Sequence, residues 1–170
     1  MIIKEIYSKI KDSDIYNDFK EENPEHYLSH IFKMFEKNGG DIWQIGFYEV
    51  KEDKIVTFVY NETSGIINRE PESEVFKKND TVKKLVLDNV NIDYKEILVK
   101  VDSVQKEKYK GQEPIKIIMI LQNFDGEDIY NITYVTRAFK TLNIRIDAKS
   151  GDLVSDKIVS IFDFKGKDGD

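Results

Sequence analysis

Apolar positions recur along this chain in two rhythms, and each rhythm predicts a different element. Ile2, Ile3, Ile6, Tyr7 and Ile10, then Ile15, Tyr16 and Phe19, fall at helical spacing, so residues 1–22 read as an N-terminal helical segment. The cluster Asp12-Ser13-Asp14 divides it, because Ser and Asp favour caps over helix interiors. Asn23-Pro24 reads as a second helix start, with Asn as N-cap and Pro at the first helical position. That helix is expected to run to about Asn38 on the inner face Leu28, Ile31, Phe32 and Phe35, and to stop at Gly39-Gly40. Alternating strands follow at Ile42–Val50 and Lys54–Asn61 around the turn Lys51-Glu52-Asp53, and a short strand begins at Gly65. Residues 68–80 form a polar joint that Val75-Phe76 would anchor, and Lys84–Val90 is expected to be extended.

The second half opens on Asp93 with Glu96 three positions later, a capping-box pattern before a helix face of Ile97, Leu98, Val101 and Val104. Strands are predicted at Ile115–Gln122, Ile129–Thr136 and Phe139–Asp147, then from Asp152 to about Phe164, with Asp125-Gly126 as the first hairpin turn. Residues 165–170 read as a loose tail. A helix must cover a sheet face, so the predicted class is α+β.

The two halves also repeat. With Trp43 set on Tyr130, Ile45 meets Ile132 and Phe47 meets Tyr134. Past a one-residue difference in the hairpin turn, Phe58 meets Ile144, Asn61 meets Asp147, Ser64 meets Ser150 and Gly65 meets Gly151. Asn61 and Asp147 are turn residues whose side chains accept backbone N–H bonds, and Gly65 and Gly151 supply a positive φ.

The second copy, with its closing turn Asp147-Ala148-Lys149-Ser150-Gly151 and its helix entry Asn91-Ile92-Asp93-Tyr94-Lys95-Glu96, resembles the PepSY domain, a small unit named for peptidase propeptides and a bacterial spore-protein family. The first copy departs further, ending Asn61-Glu62-Thr63-Ser64-Gly65. The resemblance implies an archaeal or bacterial protein of two PepSY-like, cystatin-like repeats, each a helix on an antiparallel sheet: residues 23–80 and 81–164. It also implies a noncatalytic module that inhibits proteases or regulates cell-envelope enzymes.

Composition narrows the chemistry. With 40% apolar residues, nine Tyr and ten Phe, the chain can bury a core, and its formal charge of −6 argues against nonspecific nucleic-acid binding. The absence of Cys excludes thiol catalysis, disulfides and thiolate metal sites. No apolar leader or membrane-length run is present, which predicts a cytoplasmic protein if the chain is full length and an extracytoplasmic one if its start was trimmed.

His26 and His30, the only histidines, sit four apart on the expected helix. They would lie on its solvated face beside Lys33 and Lys37, so neither metal nor cofactor is expected. No nucleophile elbow, phosphate loop or dinucleotide fingerprint appears, and the chain reads as non-enzymatic. Trp43, Phe47, Tyr130 and Tyr134 are expected to pack under the helices, with a groove lining as the second possibility. Gln44, Tyr48 and Asn131 face the other way, on a surface that could recognise a partner, expected to be another protein. The alternative is a small-molecule binder or enzyme in which a curled sheet and its helix enclose a ketosteroid-isomerase-like pocket.

Overall fold

The computed structural model describes residues 2–35, 40–74 and 82–162. Among these the protein is α+β: three α-helices lie on one large antiparallel sheet of nine strands. Helices α1 (Ile3–Lys11) and α2 (Asp14–Glu22) come first. They break where the sequence predicts, with Ser13 as the N-cap whose Oγ accepts from the Tyr16 amide. Strands β1 (Tyr27–Phe35), β2 (Ile42–Glu49), β3 (Lys54–Asn61), β4 (Ile67–Arg69) and β5 (Ser73–Glu74) follow. A short 3-10 turn at Leu87–Asn89 leads to α3 (Tyr94–Lys108), then β6 (Pro114–Phe124), β7 (Glu127–Thr136), β8 (Lys140–Asp147) and β9 (Leu153–Ser160). The spatial order is β4-β3-β2-β1-β6-β7-β8-β9, and β5 shares the free edge of β3 with β4. Each side of the central β1–β6 pair is therefore a meander in chain order.

The helix expected from Pro24 to Asn38 is instead strand β1. Three local features hide it. Asn23 closes α2 rather than opening a helix, its amide and its side chain both donating to the Phe19 carbonyl. A bulge between Leu28 and His30 sets the buried Leu28 and Ile31 three positions apart, the spacing of a helix. The next inward position after Ile31 is Lys33, a residue read as polar surface although only 5% of it is exposed. Gly39, which was to stop that helix, Lys37, the Val75-Phe76 anchor and the 165–170 tail lie outside the described residues. Of the stretch expected to be extended, Lys84–Val86 is irregular and Leu87–Asn89 forms the 3-10 turn.

All three helices press on the same face. Tyr16 and Phe19 of α2 meet Phe47 and Phe58, with ring centroids 5.1–6.1 Å apart, and Tyr7 of α1 stacks on Phe47 at 6.4 Å. Helix α3 covers the β6–β9 side through Ile97 and Val101, and its Tyr94 crosses to Trp43, 5.2 Å away in a T-shaped contact. Its entry is pinned by the Asn91 and Ile92 amides, which both donate to the Ala148 carbonyl. Its exit is held by Lys108 and Tyr109, which both bond Asp156 on β9.

The turns after β3 and β8 use the same bonds. Asn61 Oδ1 accepts from the Thr63 and Ser64 amides, and Asp147 Oδ1 from those of Lys149 and Ser150. The Gly65 amide donates to the Asn61 carbonyl at 2.8 Å, and the Gly151 amide to that of Asp147 at 2.9 Å. Both glycines have positive φ, 73° and 76°. Their surroundings differ: a Cβ on Gly151 would lie 3.4 Å from Ile92, whereas nothing lies within 4 Å of one on Gly65.

Replacing either glycine with Val forces a β-branched residue into the left-handed region, a cost of about 1–3 kcal/mol. Gly151→Val is expected to be the more damaging of the two, because its side chain also meets Ile92. Denaturant melts of the pair give the ranking. Equal midpoint shifts would mean that backbone strain alone decides, and no shift would mean that the turns relax.

Candidate functional site

The inward-pointing aromatics are enclosed. Trp43 and Tyr130 are fully buried, and Phe47 and Tyr134 are 1% and 2% exposed. The Tyr130 hydroxyl donates to the Ile92 carbonyl at 2.8 Å, and burial pushes its pKa well above the usual phenol value. Burial likewise lifts Tyr134 to about 12. These side chains fill the space under the helices, and Phe47 and Tyr130 also reach the walls of surface clefts. Tyr48, on the opposite face, is also buried: it packs edge-on against Tyr27 at 5.6 Å and donates to Asp53 at 2.6 Å.

Lys33 is the unusual member of the helix-covered face. Its Nζ lies 4.4 Å from the Trp43 ring centre and 3.7 Å from Glu62, which also accepts the Trp43 indole N–H at 3.1 Å. Burial lowers the Lys33 pKa, and Glu62 and Asp41 oppose that shift. The expectation of a solvated lysine here is corrected: the residue is an internal cation held by an indole face and one carboxylate.

The histidines are corrected too. Neither lies on a solvated helix face. His26 precedes β1 and is 7% exposed, packed edge-on against Phe19 at 5.0 Å, with no hydrogen-bond partner for Nδ1. His30 sits on the other side of the sheet, over Gly46, with Nδ1 3.0 Å from Ser29 Oγ. Desolvation lowers the pKa of both. The sheet separates the two rings, and among the described residues no group of three or more His, Asp or Glu side chains could hold a metal ion.

Among the described residues, that second sheet face carries no helix. Across it, one register row runs Val59, Gln44, Phe32, Ile120, Asn131 and Arg145. All six are half-buried, so the surface mixes apolar and amide groups. Asn143 donates to Asn131 at 2.5 Å and Thr133 at 3.0 Å, and Arg145 lies over the Phe124 ring, 4.1 Å from its centre. Gln44, Tyr48 and Asn131 lie on this face, as strand parity predicts, but Tyr48 is 1% exposed and offers no open surface.

Two clefts open at the end of the sheet near the α2–β1 connection, with His26 in the wall of each. The smaller, about 280 Å³, is lined by Glu22, Glu25, Glu49, Glu52 and Glu72 together with Lys51 and Lys54. The larger, about 610 Å³, lies between the α1–α2 pair and the Lys84–Asp88 segment. Tyr7, Tyr16, Phe47 and Leu85 line it, along with Lys11, Lys20 and Lys84. Burial lifts the Tyr7 pKa to about 12, and burial lowers that of Lys20. Sequence reasoning missed this cleft, because its parts come from three separated segments and its tyrosines sit on helix faces that read as core.

No protein-family model matches the chain, and no curated protein matches it either. A solved structure does: a Clostridium difficile 630 protein named a "putative lipoprotein", 11% identical, with a TM-score of 0.57 over 86% of this chain and 91% of that one. At that identity the likeness shows the fold alone. Among the described residues, no helix is long and apolar enough to cross a membrane.

Two outcomes follow from the packing of His30. Gly46→Ala would place a Cβ 2.2 Å from the His30 ring, so it is expected to cost about 1–3 kcal/mol through overpacking. The loss should shrink in a His30→Ala background, and a double-mutant cycle on denaturant midpoints measures that coupling. Secondly, His30 has its folded pKa below the usual 6.5, so the unfolded chain takes up the proton first as pH falls. The stability it contributes is complete above about 6.5 and is lost as pH drops through the depressed folded value. Melts from neutral to mildly acidic pH should show His30→Gln flattening this slope; an unchanged slope would assign it to other groups.

Proposed function

We propose that this chain is a non-enzymatic binding or regulatory module that meets another protein through the helix-free face of its sheet. The observation that carries this reading is the contrast between the two faces. One is sealed by three helices over a filled aromatic interior; the other presents the Phe32–Ile120 centre flanked by Gln44 and Asn131. An apolar centre with a polar surround is the usual composition of a protein-recognition surface.

The two meanders, with their matched turns, support reading the protein as two PepSY-like or cystatin-like repeats. In this reading α1 and α2 cover the first repeat and α3 the second. Protease inhibition is the sharpest form of the function, and regulation of an envelope enzyme is the broader one. The fold-level likeness to a protein named a putative lipoprotein is compatible with an envelope setting. Against a ketosteroid-isomerase-like pocket stands the interior between helices and sheet, where Trp43, Phe47, Tyr130 and Tyr134 are at most 2% exposed.

The test pairs function with surface. The wild-type protein is expected to show no turnover in a broad hydrolase and transferase screen. It is expected to capture a partner from lysate of its native organism, or to inhibit a thermolysin-type protease. Replacing two half-buried outer residues, Phe32→Glu with Ile120→Glu, should weaken capture by about tenfold or more, as for loss of a central interface anchor. Thermal melts separate that loss from unfolding. Capture unchanged in a folded double variant would rule out this face, and turnover abolished by a single carboxylate or Tyr replacement would replace the binding reading with an enzymatic one.

A further inference from the structure

The larger cleft has the chemistry of a ligand site, and it lies away from the face proposed for protein recognition. Its floor is apolar: Leu28, Phe47 and Leu85 are all at most 5% exposed. Its helix wall presents the rings of Tyr7 and Tyr16. Its cations arrive from three places, Lys11 at the end of α1, Lys20 in α2 and Lys84 on the segment before the 3-10 turn.

Charge is the second observation. The chain as a whole carries a formal −6, yet the cleft lining holds three lysines against one carboxylate, Asp88. Ion pairing within the described residues does not account for this gathering: none of the three lysines is in a salt bridge there. Lys20 donates to two backbone carbonyls, those of Pro24 and His26, at 2.7 and 2.6 Å, which fixes its ammonium at the cleft wall. Lys11 lies 5.7 Å from the centre of the Tyr7 ring. Like charges brought together on one concavity raise the local concentration of anions and cost stability unless an anion joins them.

Chemistry and size then define the occupant. A head group able to accept several charge-assisted hydrogen bonds suits the lysines, and an apolar body suits the floor and the tyrosine rings. A volume of about 610 Å³ is that of a site for a small organic molecule. The acidic cleft on the other side of His26 makes the preference directional, since a cation would be drawn there instead. We propose that the cleft between the α1–α2 pair and the Lys84–Asp88 segment binds an amphipathic organic anion, a carboxylate head on an apolar body.

The experiment uses the full chain and a fluorescent aromatic sulfonate, 8-anilinonaphthalene-1-sulfonate, as the reporter, with decanoate and decylamine as competitors of equal length and opposite charge. Saturable enhancement at one site per chain is expected, displaced by decanoate and not by decylamine. Lys11→Glu with Lys84→Glu reverses two exposed rim charges and is expected to weaken binding by about tenfold or more. Lys110→Glu with Lys157→Glu makes the same change in net charge at exposed positions of the second half, and is expected to leave affinity within about twofold. Thermal melts check that both variants fold; if the first pair does not, amide chemical shifts of the wild type on adding decanoate take its place and should cluster on Tyr7, Tyr16 and Leu85–Asp88. Equal weakening by both pairs, equal displacement by decylamine, enhancement that does not saturate, or shifts spread away from the cleft would each overturn the proposal. Phe32 and Ile120 do not line the cleft, so loss of partner capture in their variants leaves this outcome untouched.

Discussion

Nine residues, Tyr27–Phe35, join the two halves of this protein into one sheet. β1 pairs with β2 on one side and with β6 on the other, and the second pairing links segments far apart in the chain. Ile31 faces Leu121 and Phe32 faces Ile120 across it, so the middle of the seam is apolar on both surfaces. Without that ladder each meander would end in an exposed strand with unsatisfied backbone groups. The seam is also a long-range contact, and the loop-closure entropy it costs is incurred before the pairing rewards it. Placement of the helices follows from it: because the halves share one sheet, α1, α2 and α3 share one face, and among the described residues the opposite face carries no helix.

Local signals were legible in the sequence wherever one residue solves one backbone problem. Ser13 caps α2, Asp93 caps α3, Asp125-Gly126 makes its hairpin with both residues at positive φ, and Gly65 and Gly151 close their turns. Strands with one buried and one open face, such as β3 and β8, kept their alternation and were placed within a residue or two. β1 failed because it is a central strand. Phe32 and Met34 on its outer side blur the alternation, the bulge changes its phase, and Lys33 stands where an apolar residue was expected. The error spread to His26 and His30, since their assignment to solvent depended on the helix that is not there. Their burial is a tertiary property: Phe19 covers one ring and Gly46 makes room for the other.

The charge distribution has the same tertiary origin. Along the chain, acidic and basic residues alternate with little order. Folding sorts them into a carboxylate-rich cleft and a lysine-lined one on the two sides of His26. Neither cleft is visible as a motif, because Lys11, Lys20 and Lys84 converge only after α1 and α2 have docked on Phe47 and the Leu85 amide has bonded the Leu28 carbonyl. The aromatic positions were easier to read, since a buried strand face fixes side-chain direction by parity alone.

Trp43 is the only tryptophan in the chain. It belongs to β2, in the first half, yet its ring is walled by Tyr94 from α3, in the second, and by the ammonium of Lys33 on the central strand. Its emission therefore originates where the two halves meet. A shift of that emission to longer wavelength reports the undocking of α3 from the first half, with no label attached and no other indole contributing to the signal.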